Sequence, residues 1–138
     1  SSTNYIDNRS DPEAVIRSLL NALNSQQYVR AYSYWQDPSF TYDSFSESYA
    51  NTVSVSAVFG AVTSDAGAGQ IYYTLPAVLE SMLTDGTKQT FSVCYTLHLS
   101  QPTFQGTVPF QPLGIQSAIS KQVENGADPT TLLSTACP

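Results

Sequence analysis

Charged side chains are scarce in this sequence: they make up 12% of its 138 residues, about half the share found in an ordinary globular protein. Five are basic and eleven are acidic, so the formal net charge is −6. The basic residues are scattered along the chain, as Arg9, Arg17, Arg30, Lys88 and Lys121. Nucleic-acid affinity depends on clustered basic contacts to phosphate, and anionic membranes attract the same clusters. The composition therefore excludes nucleic acid as a partner and disfavours anionic membrane surfaces.

Long apolar runs are missing too. None approaches the roughly 20 residues that a membrane-spanning helix needs, so we predict no membrane insertion of this segment. Apolar residues still reach 41% of the sequence, enough for one packed core and one domain. The sequence opens abruptly on Ser-Ser-Thr-Asn, which is typical of a processed terminus. An export signal or a lipid anchor upstream is therefore left open.

Cysteine is nearly absent, since the sequence has only Cys94 and Cys137. With no C-x-x-C pair, a structural zinc site is excluded. Cys94 lies in a strand pattern and Cys137 is the penultimate residue, so we predict a disulfide that ties the tail to the sheet. Two free buried thiols are the alternative. A disulfide implies an oxidising compartment, and the abundance of Ser and Thr agrees with an extracellular or cell-surface protein.

The first half of the sequence has helical periodicity. Residues 1–9 are predicted to form an extended polar arm, in which Asn8-Arg9-Ser10 is a sequon and Asn8 a candidate glycosylation site. Ser10 and Glu13 predict a capping box for a helix that runs to residue 24. A second helical stretch places Tyr28, Tyr32 and Trp35 on one face, and a third spans residues 43–49.

From residue 50 the periodicity changes to that of strands. We predict strands over 53–59, 70–84, 89–100 and 113–123, a turn-rich connection over 63–69, and a loop over 101–112. Pro76 demands a sheet edge or a bulge, and Asp85-Gly86 predicts a hairpin. Along the last strand, Ile115, Ile119 and Val123 are expected to share one face. Asp128-Pro129 begins a short tail helix, so the class is α+β over residues 10–138.

These patterns resemble a known superfamily. Asp11-Pro12, then Tyr28-x-x-Ala31-Tyr32-x-x-Trp35 and Phe45-x-x-x-Tyr49-x-x-Thr52, are similar to the NTF2-like (cystatin-like) superfamily. The stretches 66–76 and 84–95 resemble an exported bacterial subgroup of unknown function. The resemblance implies a cone of helices on a curved antiparallel sheet, and a homodimer or higher homo-oligomer formed through the open sheet face. It implies no single activity, because this fold hosts isomerases, dehydratases, transport factors and structural domains.

Enzymes of that superfamily place acids and bases inside the cone, and candidates here are few. Glu80 could point into the cone as a general base, although a surface carboxylate is the alternative. His98, the single histidine, shares a strand face with Cys94, which a disulfide would remove as a nucleophile. We therefore predict no catalytic residue, no metal and no cofactor.

Aromatic residues are plentiful, with nine Tyr, six Phe and one Trp. They either fill the core or line a pocket or an interface. Tyr72 and Tyr73 are adjacent on a strand, so one is expected inside and the other outside. The candidate pocket or interface residues are Tyr28, Tyr32, Trp35, Tyr72, Tyr73, Glu80 and His98.

Three functional hypotheses follow. The first is a non-enzymatic exported module that binds a small apolar ligand or a protein partner. The second is a structural subunit of an extracellular surface layer or filament, with which low charge and a polar arm are compatible. The third is a small isomerase- or dehydratase-like enzyme, which requires two titratable side chains that face one another inside the cone.

Overall fold

A computed structural model describes residues 5–100 and 111–138. Helices are followed by a curved antiparallel sheet and a short C-terminal helix, which confirms the predicted α+β class. Residues 101–110 of the predicted loop lie outside the described residues. In chain order the elements are α1 (Pro12–Asn24), α2 (Tyr28–Ser33), α3 (Tyr42–Ser48), β1 (Thr52–Phe59), β2 (Thr63–Gly67), β3 (Gln70–Leu83), β4 (Lys88–Ser100), β5 (Gly114–Val123) and α4 (Pro129–Thr135).

Helix α1 supplies the apolar layer above the sheet. Its N-cap is Asp11, whose Oδ1 accepts the Ala14 N–H at 2.8 Å, and Pro12 follows in the first turn. The predicted capping box of Ser10 and Glu13 is therefore wrong by one residue, and Glu13 pairs instead with Arg17. The buried face of α1 consists mainly of Val15, Ile16, Leu19, Leu20, Ala22 and Leu23.

The second helix is shorter than its sequence pattern indicates. It ends at Ser33, and the chain then reaches the sheet through an isolated parallel bridge between Trp35 and Ile115. The Ile115 N–H donates to the Tyr34 carbonyl at 2.8 Å, and the Gln36 N–H donates to the Ile115 carbonyl at 2.7 Å. This bridge holds the end of α2 against β5 and leaves the Tyr34 side chain fully buried.

The sheet has the order β1-β3-β4-β5, with β2 paired beside β1 on the same edge of β3, and every pair of strands is antiparallel. The predicted hairpin joins the two long central strands. Gly86 has a φ of +86° there, and the Asp85 carboxylate accepts the Thr87 N–H at 3.0 Å. The turn therefore fixes a continuous register from Met82 opposite Lys88 to the far ends of both strands.

Residues 63–67 form strand β2, where we expected only a turn-rich connection. Strand β1 pairs with β3 no further than Phe59 opposite Ala77, so the first half of β3 has an open edge. Strand β2 fills it, from Thr63 opposite Thr74 to Gly67 opposite Gln70. All five residues of β2 are exposed, so an apolar pattern could not reveal this strand.

Pro76 lies at the break between β1 and β2. Its carbonyl accepts the Gly60 N–H at 2.9 Å, so the backbone groups of Pro76 point toward this break. The proline nitrogen, which carries no hydrogen, therefore leaves no neighbouring strand without a donor. The sequence predicts a sheet edge or a bulge for Pro76. In the structure Pro76 lies in the central strand β3, beside the gap between β1 and β2. Close approach of the Pro76 ring also explains Gly60, because a Cβ at position 60 would lie 2.7 Å from Pro76 Cγ.

The predicted alternation along β5 is wrong after Ile115. The pairing register with β4 shifts between Ile115 and Ser117, which makes Gln116 a bulge. Ile115 is fully buried and Ala118 lies on the same inner face, whereas Ile119 is 63% exposed on the other face.

The sheet has an inner face under α1 and an outer face that carries the tail. The predicted disulfide joins Cys94 on the outer face of β4 to Cys137, with the two Cα atoms 5.0 Å apart. Helix α4 packs on the outer face of β3, where Leu133 lies close to Gly60 and Val78 is buried. The disulfide is compatible with an oxidising environment. Over the described ranges, no helix is both long and apolar enough to cross a membrane.

The substitution Cys137→Ser tests the role of this bond. The disulfide closes a separation of 43 residues, so its loss should lower the free energy of unfolding by roughly 4 kcal/mol in the chain-entropy model. We expect hydrogen exchange to accelerate first in residues 127–138, because the Asn125 side chain still holds the preceding turn to Thr90 and Lys88. Ser134→Ala, in the same helix, is the matched control. Equal protection of the tail in both variants would contradict this role.

Candidate functional site

A cavity of about 280 Å³ lies between the helices and the inner face of the sheet. Helix α1 contributes three leucines, and the strands contribute the opposite wall because their inward residues alternate with outward ones. The volume is close to the lower limit for small-molecule pockets. The apolar side chains that line this central cavity are Leu19, Leu20, Leu23, Val55, Leu79, Phe91, Val93 and Ala118.

Uncharged polar side chains also line the central cavity. They are exposed or half-buried, which places them toward solvent, and they consist of four hydroxyl groups and one amide. No acidic, basic or histidine side chain lines the cavity among the residues that the structure describes. The site therefore has an apolar wall and a neutral polar rim. The rim consists of Ser48, Thr52, Ser81, Gln89 and Ser120.

Three aromatic residues with polar tips complete the lining: Trp35, Tyr49 and Tyr95. Trp35 Nε1 is buried and has no hydrogen-bond partner within the described chain. No hydrogen bond is seen from the Tyr49 or Tyr95 hydroxyl group within the described residues, but neither oxygen belongs to the buried unpaired atoms. An unpaired buried donor costs about 1–3 kcal/mol, so the Trp35 indole N–H is an energetically expensive group in this lining.

Burial keeps both phenols in the neutral form. It raises the pKa of Tyr49 and of Tyr95, and the negative charge that Tyr49 would acquire raises the pKa of Tyr95 further. At neutral pH the two hydroxyl groups can therefore donate hydrogen bonds, and they do not act as bases. The cavity lining thus includes one residue with a buried unpaired donor, Trp35, and two protonated tyrosines.

Glu80 does not face the central cavity. Its neighbours Leu79 and Ser81 line it, so the intervening side chain points to the outer face of the sheet. There Glu80 Oε1 lies 3.6 Å from Lys88 Nζ, with both side chains about half exposed. Glu80 is therefore a surface carboxylate, which is the second of the two alternatives that the sequence leaves open. A role as a general base inside the cone has no geometric support.

His98 and Tyr72 are neighbours on the outer face, with ring centroids 4.9 Å apart. The Gln36 amide donates to the His98 carbonyl at 2.9 Å, which leaves Gln36 Oε1 to accept from His98 Nδ1 at 2.9 Å. The other ring nitrogen contacts Gln70 Oε1. Gly114 lets Gln36 cross the sheet edge, because a Cβ there would lie 2.6 Å from Gln36 Cγ. Both ring nitrogens are engaged in holding elements together.

Of the other predicted pocket residues, Trp35 alone lines the central cavity. Tyr32 donates its hydroxyl to the Phe40 carbonyl at 2.9 Å within a cluster of aromatic rings. Tyr28 and Tyr73 are half-buried against the core, so Tyr73 is inside and Tyr72 outside, as expected for neighbours on a strand. Sequence reasoning did not name Tyr49 and Tyr95 as pocket residues, although Tyr49 belongs to the motif that resembles the NTF2-like superfamily and the alternation of β4 indicated that Tyr95 faces inward.

Asn8 is exposed, and its side chain accepts the Ser10 N–H at 2.9 Å. Its glycosylation stays a prediction. In the part of the chain that is described, no three His, Cys, Asp or Glu residues are grouped so that they could hold a metal ion. Comparisons with protein-family models, curated proteins and solved structures found no match.

The buried Tyr95 phenol predicts a loss of stability in alkali. Its pKa is raised by folding, so its contribution is intact below the unfolded-state pKa near 10 and is lost as the pH rises above that value. Above that pH, each tyrosine that ionises only on unfolding lowers the free energy of unfolding by up to about 1.4 kcal/mol per pH unit. Urea unfolding between pH 7 and pH 11 should show a shallower decline for Tyr95→Phe than for wild type. Parallel declines would contradict the assignment.

Proposed function

We propose that this protein is a non-enzymatic, extracytoplasmic binding domain that holds a small neutral ligand in its central cavity. The observation that supports this function is the buried, unpartnered indole N–H of Trp35, a residue of a cavity lining that is largely apolar and, among the described residues, uncharged. A ligand with an acceptor oxygen would satisfy the indole donor that the described chain leaves unpaired. Its apolar part would be buried against the leucine face of α1.

The lining also indicates the charge of the ligand. A charged ligand would lose its hydration without gaining an opposite charge, because the described lining is uncharged. A neutral molecule with one carbonyl or ether oxygen and a compact apolar body meets both constraints. General acid–base catalysis is less well supported, since the titratable groups that line the cavity are two tyrosines that stay protonated at neutral pH.

The cellular setting is part of the same proposal. The Cys94–Cys137 disulfide supports an oxidising compartment, and export agrees with the low charge of the sequence. The NTF2-like resemblance supports a binding role for the space between helices and sheet. Helix α4 covers part of the outer face through which members of that superfamily pair, so a homodimer of that kind would have to include this helix.

The single tryptophan provides a direct test, because Trp35 contributes one indole N–H signal to an NMR spectrum. We expect cyclohexanone and acetophenone to shift this signal in a saturable way, since their carbonyl oxygen accepts from the indole. Benzoate and benzylamine, of similar size but charged, should not. Equal responses to neutral and charged compounds, or no response to any, would contradict the proposed site.

Two adjacent residues of β5 provide matched variants. Ala118→Phe places a ring in the central cavity and should weaken ketone binding by roughly tenfold or more, because the added volume displaces the ligand. Ile119→Phe adds a similar ring to the exposed outer face and should leave binding unchanged. If both variants bind like wild type, the ligand lies elsewhere.

A further inference from the structure

Each ring nitrogen of His98 faces the oxygen of a glutamine side chain. Nδ1 lies 2.9 Å from Gln36 Oε1, and Nε2 contacts Gln70 Oε1. A neutral imidazole has one N–H donor and one bare acceptor nitrogen, whereas the imidazolium cation has two donors. Only the cation can donate to both oxygens at once. The hydrogen bonds around His98 therefore depend on whether the ring carries a proton on each nitrogen.

Backbone carbonyl groups fix the orientation of the Gln36 amide. Its Nε2 donates to the His98 carbonyl at 2.9 Å and to the Pro112 carbonyl at 3.1 Å. A reversed amide would turn its oxygen toward these two carbonyl oxygens and would lose both hydrogen bonds. Gln36 Oε1 therefore faces Nδ1 in either protonation state, so Nδ1 keeps its hydrogen. The proton that His98 gains and loses is the one on Nε2.

The Gln70 amide, by contrast, is free to reverse. Its Oε1 contacts His98 Nε2 and accepts the Ser100 hydroxyl at 2.8 Å, and within the described residues its Nε2 donates to no carbonyl group. When His98 Nε2 is bare, a half-turn of the amide brings the Gln70 nitrogen there. One amide hydrogen then points to the imidazole and the other to Ser100 Oγ, since a hydroxyl oxygen accepts as well as donates. Both arrangements satisfy the ring.

Gln70 closes the turn between β2 and β3. It pairs with Gly67, and the two residues between them, Ala68 and Gly69, have φ values of +53° and +78°. Alanine rarely adopts this left-handed conformation and keeps it only where its surroundings hold it. All of β2 is exposed, so that strand has backbone pairing but no buried side chain to hold it. The contact between Gln70 and His98 therefore anchors a turn that has little packing of its own.

The charged groups near the ring are of both signs. On the outer face, the Tyr72 ring packs against His98, and the next residue across the sheet, on β2, is acidic. On the other side, one acidic and one basic residue line a small pocket together with Gln36. These charged residues are Asp65, Asp37 and Arg9. Within the described residues none of them is hydrogen-bonded to the imidazole, so the contact with Gln70 responds most directly to the proton.

We propose that His98 and Gln70 form a pH-sensitive switch that controls how firmly the turn between β2 and β3 is held. While both ring nitrogens are protonated, the imidazolium donates a charge-assisted hydrogen bond to Gln70 Oε1. Once Nε2 is bare, the Gln70 amide reverses and donates a weaker, neutral hydrogen bond. Histidine ordinarily changes charge between about pH 5 and pH 8, so β2 is held more firmly at the acidic end of that range. The switch is independent of the proposed ligand-binding function.

The single histidine allows a direct NMR test of the two states. Long-range proton–nitrogen spectra of the ring should show hydrogen on both nitrogens at about pH 5 and on Nδ1 alone at about pH 8. The side-chain amide signals of Gln70 should shift over the same pH range, because this amide changes its partner. Hydrogen on Nε2 alone at the higher pH, or Gln70 amide signals that do not follow the ring, would overturn the proposal.

Gln70→Glu and Gln122→Glu are matched variants for the same measurement. A carboxylate at position 70 accepts but cannot donate, so it should raise the pH at which the His98 ring signals change by about one pH unit or more. Gln122 lies opposite Phe91, toward the other end of β4, where the same substitution does not reach the ring. It should leave the ring signals as in wild type. Equal effects of the two variants would count against a direct contact between His98 and residue 70.

Hydrogen exchange measures the effect on β2. Protection factors of the amides in residues 63–67 should be about fivefold higher at pH 5 than at pH 8, because the charge-assisted bond is the stronger one. Gln70→Leu removes both forms of the bond and should abolish this difference. Amides in the paired centres of β3 and β4, such as those of Val78 and Ser92, serve as the internal reference and should not respond. The same pH dependence in wild type and Gln70→Leu would overturn the switch.

Discussion

The register between β3 and β4 determines how every other element of this protein is placed. It runs without interruption from Gln70 opposite Ser100 to Met82 opposite Lys88. Because side chains alternate between faces, this one register sends Leu79, Val93 and Tyr95 toward α1, and Glu80, Cys94 and His98 to the other side. If the register shifted by one residue, the side chains that line the cavity would move to the outer face, and those that hold the tail would move to the inner face. The turn at Asp85-Gly86, which sets the register, is therefore the local feature with the widest structural effect.

The inner face combines two requirements that usually oppose one another. Apolar residues of α1 and the sheet favour exclusion of water, whereas Trp35, Tyr49 and Tyr95 bring polar atoms into the same space. In a fully packed core such atoms would be replaced by Phe or Leu at little cost. Of the buried polar atoms in the described residues, Trp35 Nε1 has no partner, and no charged side chain lines the cavity there. On the outer face the opposite holds, because His98, Gln36 and Gln70 satisfy one another.

Much of the fold could be predicted from local patterns, and the failures have physical causes. The helix periodicity, the Asp85-Gly86 turn and the tail disulfide depend on residues close in sequence or on cysteine count. The bulges at Val53 and Gln116 depend on the partner strand, so alternation within one strand could not reveal them. The cavity was harder still, since only interatomic distances show whether aromatic rings fill a core or leave space. Ser18 and Asn21 interrupted an apolar helix face and were a visible signal, but the sequence did not show that their partner was the arm.

The position of Cys137 in the chain has a consequence for how the molecule matures. Cys94 lies on β4, while its partner follows β5 and α4, after every strand of the sheet. During synthesis from the N-terminus, the bond can close only once the last strand has been made. With two cysteines in these 138 residues, oxidation within one chain has a single product and needs no reshuffling. A molecule in which the Cys94–Cys137 bond has formed has therefore been synthesised at least through β5 and α4.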